Sequence, residues 1–423
     1  MTIAELQSKH TAVIIGYGLE GKATEAFLQR VAPHLKIVIA DVSIQPDYLE
    51  LQTTGDLVIK TPSLPGHLLH VPYTTATNLF LANVPCPVIG VTGSKGKSTT
   101  SSLIAAMIRA HGITAHLLGN IGVPALSLLP NDIRASDVVV FEMSSYQTAD
   151  LDRAPDIAVY TSFFPEHIDH HGSLEAYAEA KARITLTQTP DDVFIFHADD
   201  PELARVAAKT QARLIPIPTT LPFFLPETRL KGEHNHRNIR AAWEAASLVG
   251  VTPQEAAQAI HDFEPLPHRL TNIGTYLGIT FVDDAIATAP EATIEALKCH
   301  PDTTTLFLGG KDRGYQFDDL ADFLATTRVK TIILFPKTGA LIRQALERRS
   351  PGGYTFFETS SMKDAVVFAY THTVPGTTCL LSCASPSYSL WKNFEEKGRE
   401  FTLYVKHFGE HPQRLRTFRF EGR

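Results

Sequence analysis

One glycine-rich loop constrains the fold of this 423-residue chain more than any other feature. It reads VTGSKGKST over residues 91–99, after an apolar run at 88–91 and before a helical pattern that ends near Gly112. A strand, a glycine loop and a helix N-terminus in this order bind phosphate through backbone N–H groups and the helix dipole. We expect Lys97 to reach the terminal phosphates of a nucleotide and the Ser98 hydroxyl to bind Mg²⁺.

The loop is a shortened form of the full phosphate-binding pattern. Val91 stands where the first glycine of the longer loop would be. An ordinary glycine-rich turn without a ligand is the alternative interpretation. Under the phosphate-binding interpretation, the nucleotide would contact Gly93, Ser94, Lys95, Gly96, Lys97, Ser98 and Thr99.

Strands and helices alternate along the chain, which predicts an α/β fold. Apolar, β-branched runs such as Thr11–Ile15, Val138–Glu142 and Thr331–Leu334 are separated by helical stretches. Prolines interrupt the alternation near residues 85–87 and 265–267. We therefore predict three α/β domains in series, at 1–86, 87–266 and 267–423.

A second glycine loop, GYGLEG at residues 16–21, lies between Thr11–Ile15 and a predicted helix. Asp41 ends the next apolar run, about twenty residues further on, where an acid that binds a ribose would stand. The loop indicates only that a diphosphate can approach the backbone, so NAD and a nucleotide sugar fit it equally well. A tight turn without a ligand is the third interpretation.

Three polar residues further along extend the phosphate site toward a metal site. Glu142 ends a predicted strand, and the carboxyl ends of parallel strands line the ligand crevice of α/β sheets. It is a candidate Mg²⁺ ligand opposite Ser98, with a solvated carboxylate as the alternative. His167 can bind a metal through a neutral nitrogen. Lys181, on a predicted helix, has by itself the pattern of an exposed helix lysine.

Charge and cysteine patterns narrow the class of protein. The formal net charge of −7 argues against a nucleic-acid partner. The cysteines, at positions 86, 299, 379 and 383, lack the paired spacing of a zinc site, and none lies near His170 and His171. Residues 1–11 contain no apolar run that could serve as a signal peptide, and no stretch reaches about 18 apolar residues, so we expect a cytoplasmic protein without a membrane partner.

Eight segments in order resemble the Mur ligases, and most closely the members that add glutamate to UDP-N-acetylmuramoyl-L-alanine. The loop at 92–99 is followed by GNIG at 119–122, EMSSYQ at 142–147, and PEHIDHHG at 165–172 with EAK at 179–181. The set is completed by EHNHRN at 233–238, PHR at 267–269, GGKDRG at 309–314 and WKNFEEKG at 391–398. The resemblance covers nearly the whole chain.

The resemblance implies an N-terminal Rossmann-like domain for the UDP part of the precursor, a central P-loop ATPase and a C-terminal Rossmann-like Mur ligase domain for the amino acid. It implies ATP as co-substrate, two Mg²⁺ sites and a carbamate on Lys181. ATP would phosphorylate the alanyl carboxylate, and the glutamate amine would then displace phosphate. The expected partners are small-molecule substrates, and the expected form is a monomer that works in peptidoglycan synthesis.

The resemblance also assigns roles to individual residues. The catalytic residues would be Lys97, His167 and Lys181. The metal ligands would be Ser98, Glu142, His167 and the carbamylated Lys181. The nucleotide would also contact Asn235, Arg269 and Asp284. The UDP-precursor would contact Gly16, Gly18, Leu19, Asp41, Thr61, Asn120, Ser144, Gln147 and His167. The incoming glutamate would contact Thr288, Arg313, Ser387 and Phe394.

Departures from the family pattern bear on the amino-acid substrate. Ser162 stands where asparagine is usual, and Ile286 stands where many members have the lysine of an NDSKAT motif. Thr61 begins a TPS segment in place of a usual SPG. We expect D-glutamate as the substrate. An L-glutamate ligase is the alternative, since Ile286 and the Pro386-Ser387 pair are compatible with it.

Other classes fit parts of the sequence. A degenerate ligase that binds the precursor without turnover would account for Ser162 and Ile286, but it needs none of the retained metal ligands. A folylpolyglutamate synthase lacks the first domain, so the loop at 16–21 argues against it. An NAD dehydrogenase would account for that loop alone.

Overall fold

The computed structural model describes residues 1–120, 123–349, 352–388 and 390–419. Ile121 and Gly122 of the GNIG segment lie outside the described residues. The chain divides into two compact units, Met1–Phe263 and Glu264–Arg423. The predicted α/β class is confirmed, because sheets of mainly parallel strands with intervening helices make up both units.

The first unit begins with a small parallel sheet. Its strands are β1 (Thr11–Ile15), β2 (Lys36–Ala40), β3 (Leu57–Lys60) and β4 (Thr74–Thr75). They pair in the order β2-β1-β3-β4. The helices of this part are α1 (Ile3–Leu6), α2 (Leu19–Val31) and α3 (Ala76–Asn83). Apolar residues fill both faces of β1 and β3, which is typical of strands covered on each side.

A second parallel sheet carries the phosphate-binding loop. Its strands are β5 (Val88–Thr92), β6 (Ala115–Gly119), β7 (Val138–Glu142), β8 (Ile157–Tyr160), β9 (Val193–Phe196) and β10 (Arg213–Pro216). The order is β10-β9-β8-β5-β7-β6, so β5 lies between β7 and β8. The helices are α4 (Lys97–Ala110), α5 (Ser145–Thr148), α6 (Ile168–His171), α7 (Leu174–Ala182), α8 (Pro201–Ala207), α9 (Glu233–Ser247) and α10 (Pro253–Asp262).

One apolar core joins the two sheets of the first unit. It runs from Ala12 in β1 through Phe80 in α3 to Phe141 in β7. The rings of Phe80 and Phe141 meet edge to face with centroids 5.4 Å apart, a favourable aromatic geometry. The domain boundary expected between residues 86 and 87 therefore stays a prediction, since packing is continuous across it.

The second unit is a mixed six-stranded sheet. Its strands are β11 (Thr271–Tyr276), β12 (Ile279–Asp283), β13 (Thr303–Leu308), β14 (Thr331–Leu334), β15 (Thr355–Glu358) and β16 (Thr378–Leu381). They pair in the order β11-β12-β16-β13-β14-β15, with only the β11–β12 pair antiparallel among the described strands. The helices are α11 (Pro290–Cys299), α12 (Asp318–Ala325), α13 (Thr338–Arg349), α14 (Met362–His372), α15 (Phe394–Glu410) and α16 (Gln413–Arg416).

Candidate active site

The phosphate-binding loop lies between the end of β5 and the start of α4. Gly93 and Gly96 have positive φ angles of 150° and 85°. A Cβ added at Gly96 would lie 2.3 Å from Asn238 Oδ1, and one at Gly93 would lie 2.0 Å from Thr161 Oγ1. Only glycine combines these angles with this close approach, so the loop backbone is held in a tight curve.

Lys97 is the first residue of α4, and its ammonium group bends back over the loop. Its Nζ donates to the carbonyl oxygens of Gly93 at 2.8 Å and Ser94 at 3.0 Å. Ser98 follows as the second residue of the helix and is half-buried. The loop amides, the positive end of the helix and a lysine ammonium are thus collected at one place, as phosphate binding requires.

Ser162, a departure from the family pattern, supports the loop backbone. Its Oγ accepts from the N–H of Lys95 at 2.9 Å and donates to the carbonyl oxygen of Lys95 at 3.0 Å. The side chain of Lys95 pairs with Glu166, with Nζ and Oε1 2.5 Å apart. A short hydroxyl side chain two residues after β8 therefore fixes the backbone in the middle of the loop.

Lys181 is buried, so the exposed helix lysine that its sequence surroundings indicate is wrong. The residue is 1% exposed, on the inner face of α7. Its Nζ donates to the carbonyl oxygen of Gly93 at 2.7 Å and lies 5.0 Å from the centre of the Tyr177 ring. Burial, together with the nearby Lys97 ammonium, holds the pKa of Lys181 well below its usual range. The neutral amine is a nucleophile, which the ammonium form is not.

Glu142 is fully buried at the end of β7, so the solvated carboxylate considered for it is also wrong. It pairs in register with Val91, directly before the loop. Its Oε1 accepts from Asn120 Nδ2 at 2.8 Å. Its Oε2 has no hydrogen-bond partner within the described part of the chain. A buried carboxylate oxygen without a donor is costly, and a bound cation would satisfy it.

His167 belongs to an aromatic cluster beside the loop. It precedes α6 in a left-handed backbone conformation, with φ of 54°. Its Nδ1 lies 3.0 Å from Tyr146 Oη, a contact that orients the imidazole ring. The rings of His170 and His171 also pack on Tyr146, with centroids 4.2 Å and 5.7 Å away. His171 Nε2 lies 3.0 Å from Ser145 Oγ, so these two histidines hold α5 and α6 together.

A metal ion at this end of the sheet would need a mixed set of ligands. Across the described ranges, no group of three or more His, Cys, Asp or Glu side chains is placed to hold one. The predicted set instead combines a hydroxyl, one carboxylate, one imidazole and a modified lysine. The unpartnered Oε2 of Glu142 and the buried amine of Lys181 fit such a set.

The second glycine loop is packed against its neighbours at Gly16 and exposed at Gly18 and Leu19. Gly16 has a φ of 92°, and a Cβ there would lie 2.1 Å from Thr61 Oγ1. Asp41 Oδ2 accepts from the backbone N–H of the residue after Gly16 at 2.6 Å, which ties the loop to the end of β2. On the outer side, a Cβ at Gly18 would meet nothing within 4 Å, and Leu19 is 80% exposed.

Three of the predicted contacts to the UDP-precursor are close to Glu142 in the structure or in the chain. Asn120 donates to the Glu142 carboxylate, and Ser144 follows Glu142 by two residues. Ser144 and Gln147 cap α5 reciprocally. The N–H of Ser144 donates to Gln147 Oε1 at 3.0 Å, and the N–H of Gln147 donates to Ser144 Oγ at 3.4 Å. Their positions are therefore set by local helix capping.

Asn238 is a site residue that the sequence analysis missed. Its Oδ1 lies against Gly96, and its Nδ2 donates to Asn235 Oδ1 at 3.3 Å. Asn235 is 5% exposed and donates to the carbonyl oxygen of Lys231 at 2.7 Å. One helix, α9, thereby connects a predicted nucleotide contact with the loop. The three-residue spacing of the two asparagines on a helix was the available signal.

The second unit brings together the other two residues predicted to meet the nucleotide. Asp284 Oδ2 accepts from Ser382 Oγ at 2.8 Å, and Oδ1 accepts from the N–H of Leu270 at 3.3 Å. Arg269 directly precedes Leu270, and its positive charge acts on the same carboxylate, where it opposes the effect of burial on the pKa. Burial raises the pKa of Asp284 to about 7.

The predicted glutamate contacts follow neighbouring strands of the second unit. Thr288 follows β12, Arg313 follows β13, Ser387 follows β16, and Phe394 begins α15. The carboxyl ends of parallel neighbours share one edge of the sheet. Ser387 is 3% exposed, and its Oγ has no hydrogen-bond partner in the part of the chain described. The Nζ atom of Lys397 also has no hydrogen-bond partner in that part of the chain. Lys397 is a fully buried residue of α15, and the sequence analysis assigned no role to it.

Sequence comparison identifies relatives over most of the chain. The family model of the Mur ligase middle domain matches residues 91–220, which contain the phosphate-binding loop and Lys181. A UDP-N-acetylmuramoylalanine–D-glutamate ligase of Symbiobacterium thermophilum is 34% identical over 85% of this chain and 86% of the relative. A UDP-N-acetylmuramoyl-L-alanine–L-glutamate ligase of Salinispora tropica is 32% identical over 96% of this chain and 99% of the relative.

Solved structures share the fold. The MurF ligase of Thermotoga maritima in complex with ADP aligns with a TM-score of 0.62 at 16% identity, over 95% of this chain and 99% of that one. MurC of the same organism aligns with a TM-score of 0.62 at 15% identity, over 94% and 99%. The three sheets and the loop define a nucleotide-binding α/β protein with several domains. The chain belongs to the Mur ligase family. None of its described helices has the length and apolar character of a membrane span.

Proposed function

We propose that this protein is an ATP-dependent amide ligase that adds glutamate to UDP-N-acetylmuramoyl-L-alanine in peptidoglycan precursor synthesis. The relative from Symbiobacterium thermophilum supports D-glutamate as the amino acid. The observation that carries the proposal is the burial of Lys181 under Gly93, beside a fully buried Glu142. A loop that only binds nucleotide needs neither residue.

The reaction joins a carboxylate to an amine through an acyl phosphate. The alanyl carboxylate attacks the terminal phosphorus of ATP, and ADP leaves. The glutamate amine then attacks the acyl carbon, and the tetrahedral intermediate expels phosphate. Lys97 and the loop amides would contact the transferred phosphoryl oxygens, where charge builds up. Positioning of the two substrates supplies much of the remaining acceleration.

The metal sites would combine four side chains. Mg²⁺ would be held at two sites by Ser98, Glu142, His167 and the carbamylated Lys181, and it offsets phosphoryl charge when bound. The Lys181 amine would add to the carbon of carbon dioxide and lose a proton, which converts it into an anionic ligand. The lowered pKa of Lys181 and the unpartnered Oε2 of Glu142 support this assignment.

The two remaining substrates would occupy separate surfaces. The loop at 16–21 would bind the diphosphate of the precursor. Asn120, Ser144 and Gln147 would lie along its sugar and alanyl parts. Arg313 would pair with a glutamate carboxylate in a bidentate fork. We also propose that the enzyme works as a monomer in the cytoplasm, with small molecules as its only partners.

L-Glutamate is the second candidate for the amino acid. The Salinispora tropica relative, which its name describes as an L-glutamate ligase, is 32% identical over 96% of this chain. Ile286 in place of the usual lysine also favours a changed glutamate site. Both observations concern stereochemistry and leave the proposed ligase reaction the same.

The test is phosphate release from the purified protein with ATP, Mg²⁺ and UDP-N-acetylmuramoyl-L-alanine, in parallel with D-glutamate and with L-glutamate. Product mass should increase by one glutamyl residue with one enantiomer only. We expect that enantiomer to be D-glutamate. No turnover with either, despite tight binding of the precursor, would refute the ligase and favour the degenerate binder.

A further inference from the structure

Lys60 is a buried cation that none of the proposed sites uses. It ends β3, and its side chain is 1% exposed. Its Nζ pairs with Asp150 Oδ2 at 2.6 Å and donates to the carbonyl oxygen of Leu64 at 2.9 Å. A buried charge persists only where it is paired and hydrogen-bonded, and Lys60 meets both conditions.

Asp150 is held on several sides. Tyr73 Oη donates to Asp150 Oδ1 at 2.7 Å. Asn78 Nδ2 donates to the backbone carbonyl of Asp150 at 2.7 Å, and Asn78 Oδ1 accepts from the N–H of Asp152 at 3.1 Å. The carboxylate and its backbone are therefore fixed together, so the ion pair has one geometry.

The pair connects two segments that are far apart in the chain. Lys60 directly precedes Thr61, whose side chain packs against Gly16. Gly16 begins the loop at 16–21, which is the proposed site for the diphosphate of the precursor. Asp150 follows α5, which Ser144 and Gln147 cap at its other end. One partner thus belongs to the proposed diphosphate half of the precursor site, and the other belongs to the proposed alanyl half.

We propose that Lys60 and Asp150 are a positioning pair that fixes the spacing between these two halves of the precursor site. The inference rests on the proposed function. One extended ligand spans both halves, so a shift of either half weakens binding of the whole ligand. The affinity for a fragment that contacts only one half does not depend on the spacing between the halves.

The experiment compares the whole precursor with its fragment. Calorimetry would give Kd values for UDP-N-acetylmuramoyl-L-alanine, UDP and ADP on wild type, Lys60→Met, Asp150→Asn and Tyr73→Phe. We expect the first two variants to bind the precursor at least about tenfold more weakly, with UDP and ADP changed by less than about twofold. Tyr73→Phe leaves the charges paired and should cause a smaller loss.

A double variant separates positioning from stability. Lys60→Met/Asp150→Asn removes both charges of the pair, so neither partner is left buried without the other, and thermal stability should recover toward wild type. A positioning role requires that precursor affinity stay low in this variant. Arg205→Met, which removes the separate ion pair with Glu202, is the control and should leave all three affinities unchanged.

Three results would overturn the inference. The first is unchanged precursor affinity in both single variants. The second is an equal loss of precursor and UDP affinity, and the third is recovery of precursor affinity together with stability in the double variant. Wild-type protein that binds the precursor no more tightly than UDP would instead refute the proposed function, and the inference with it.

Discussion

The Nζ atom of Lys181 donates a hydrogen bond at 2.7 Å to the carbonyl oxygen of Gly93, which lies 88 residues earlier in the chain. This contact places a helix lysine directly beneath the phosphate-binding loop. Lys97 Nζ donates to the same carbonyl oxygen at 2.8 Å. Two amines that converge on one oxygen repel each other when both are charged, which favours a neutral form for the more deeply buried one.

Replacement of Lys181 should abolish both turnover and uptake of carbon dioxide. Lys181→Gln keeps a donor directed at Gly93 but cannot form a carbamate, so we expect kcat to fall at least about 10³-fold. Wild type supplied with ¹³C-bicarbonate should give a carbamate signal in ¹³C NMR that the variant lacks. Lys209→Gln, at an exposed lysine, should change neither quantity. A carbamate signal that survives in Lys181→Gln would contradict the assignment.

Glu142→Gln should weaken metal binding while the fold persists. The amide retains an oxygen that can accept from Asn120, but it removes the charge of the unpartnered oxygen. We expect Mn²⁺ affinity, measured by EPR in the presence of ADP, to fall at least about tenfold. Unchanged Mn²⁺ affinity would show that Glu142 is not a ligand. Asp132→Asn, at an exposed carboxylate of the same unit, serves as the control.

Gly96→Ala should cost more stability than Gly112→Ala. Both glycines have φ near 85°, at +85° and +88°, but a Cβ at Gly112 meets nothing within 4 Å, whereas one at Gly96 meets Asn238 Oδ1 at 2.3 Å. Gly112→Ala should therefore lose about 1–2 kcal/mol from backbone strain alone. Gly96→Ala should lose more and should also lose ADP affinity. Urea unfolding followed at Trp243 in a Trp391→Phe background measures the stability of the two variants. Equal losses of stability would contradict the steric argument.

The stability of the second unit should fall as pH rises from about 4 to 7. The pKa of Asp284 is raised from 3.8 to about 7 by burial. In this window the unfolded chain has released the proton that the folded carboxyl keeps, so ionisation favours unfolding, and the effect levels off above pH 7. One such proton contributes a slope of up to about 1.4 kcal/mol per pH unit.

The matched variant for this prediction is Asp284→Asn, which does not titrate. Trp391 is the tryptophan of the second unit, so a Trp243→Phe background reports on that unit alone. We expect the urea-unfolding free energy of wild type to decline relative to the variant across the window. Parallel pH profiles for the two proteins would contradict the prediction.

Much of the fold can be predicted from the sequence, because the central strands are continuous apolar runs. β1, β7 and β14 have the predicted bounds. The edge strands β11 and β15 lacked this signal, since their residues are largely half-buried or exposed, and Gly274 interrupts β11. Their pairing depends on a neighbour that is distant in the chain, which a local pattern does not reveal.

The site was less completely predictable than the fold. The loop around Lys97 follows from local sequence, because a strand, glycines and a helix start are adjacent. The burial of Lys181 does not, since it depends on packing against a loop 88 residues away. The support given by Ser162 and Asn238 also arises from contacts between separate elements. Those contacts become visible only once the sheet order is known.

The ring contact between Phe80 and Phe141 has a consequence for how such enzymes can be recombined. An N-terminal segment taken from a relative would bring its own α3, and that helix would have to fit the β7 of this chain. Segment exchange at residues 86 and 87 should therefore succeed only when residue 80 and residue 141 are transferred as a pair. The natural unit of exchange in this chain is Met1–Phe263. The prolines near residues 85–87 interrupt the sequence pattern, but the apolar packing continues across them.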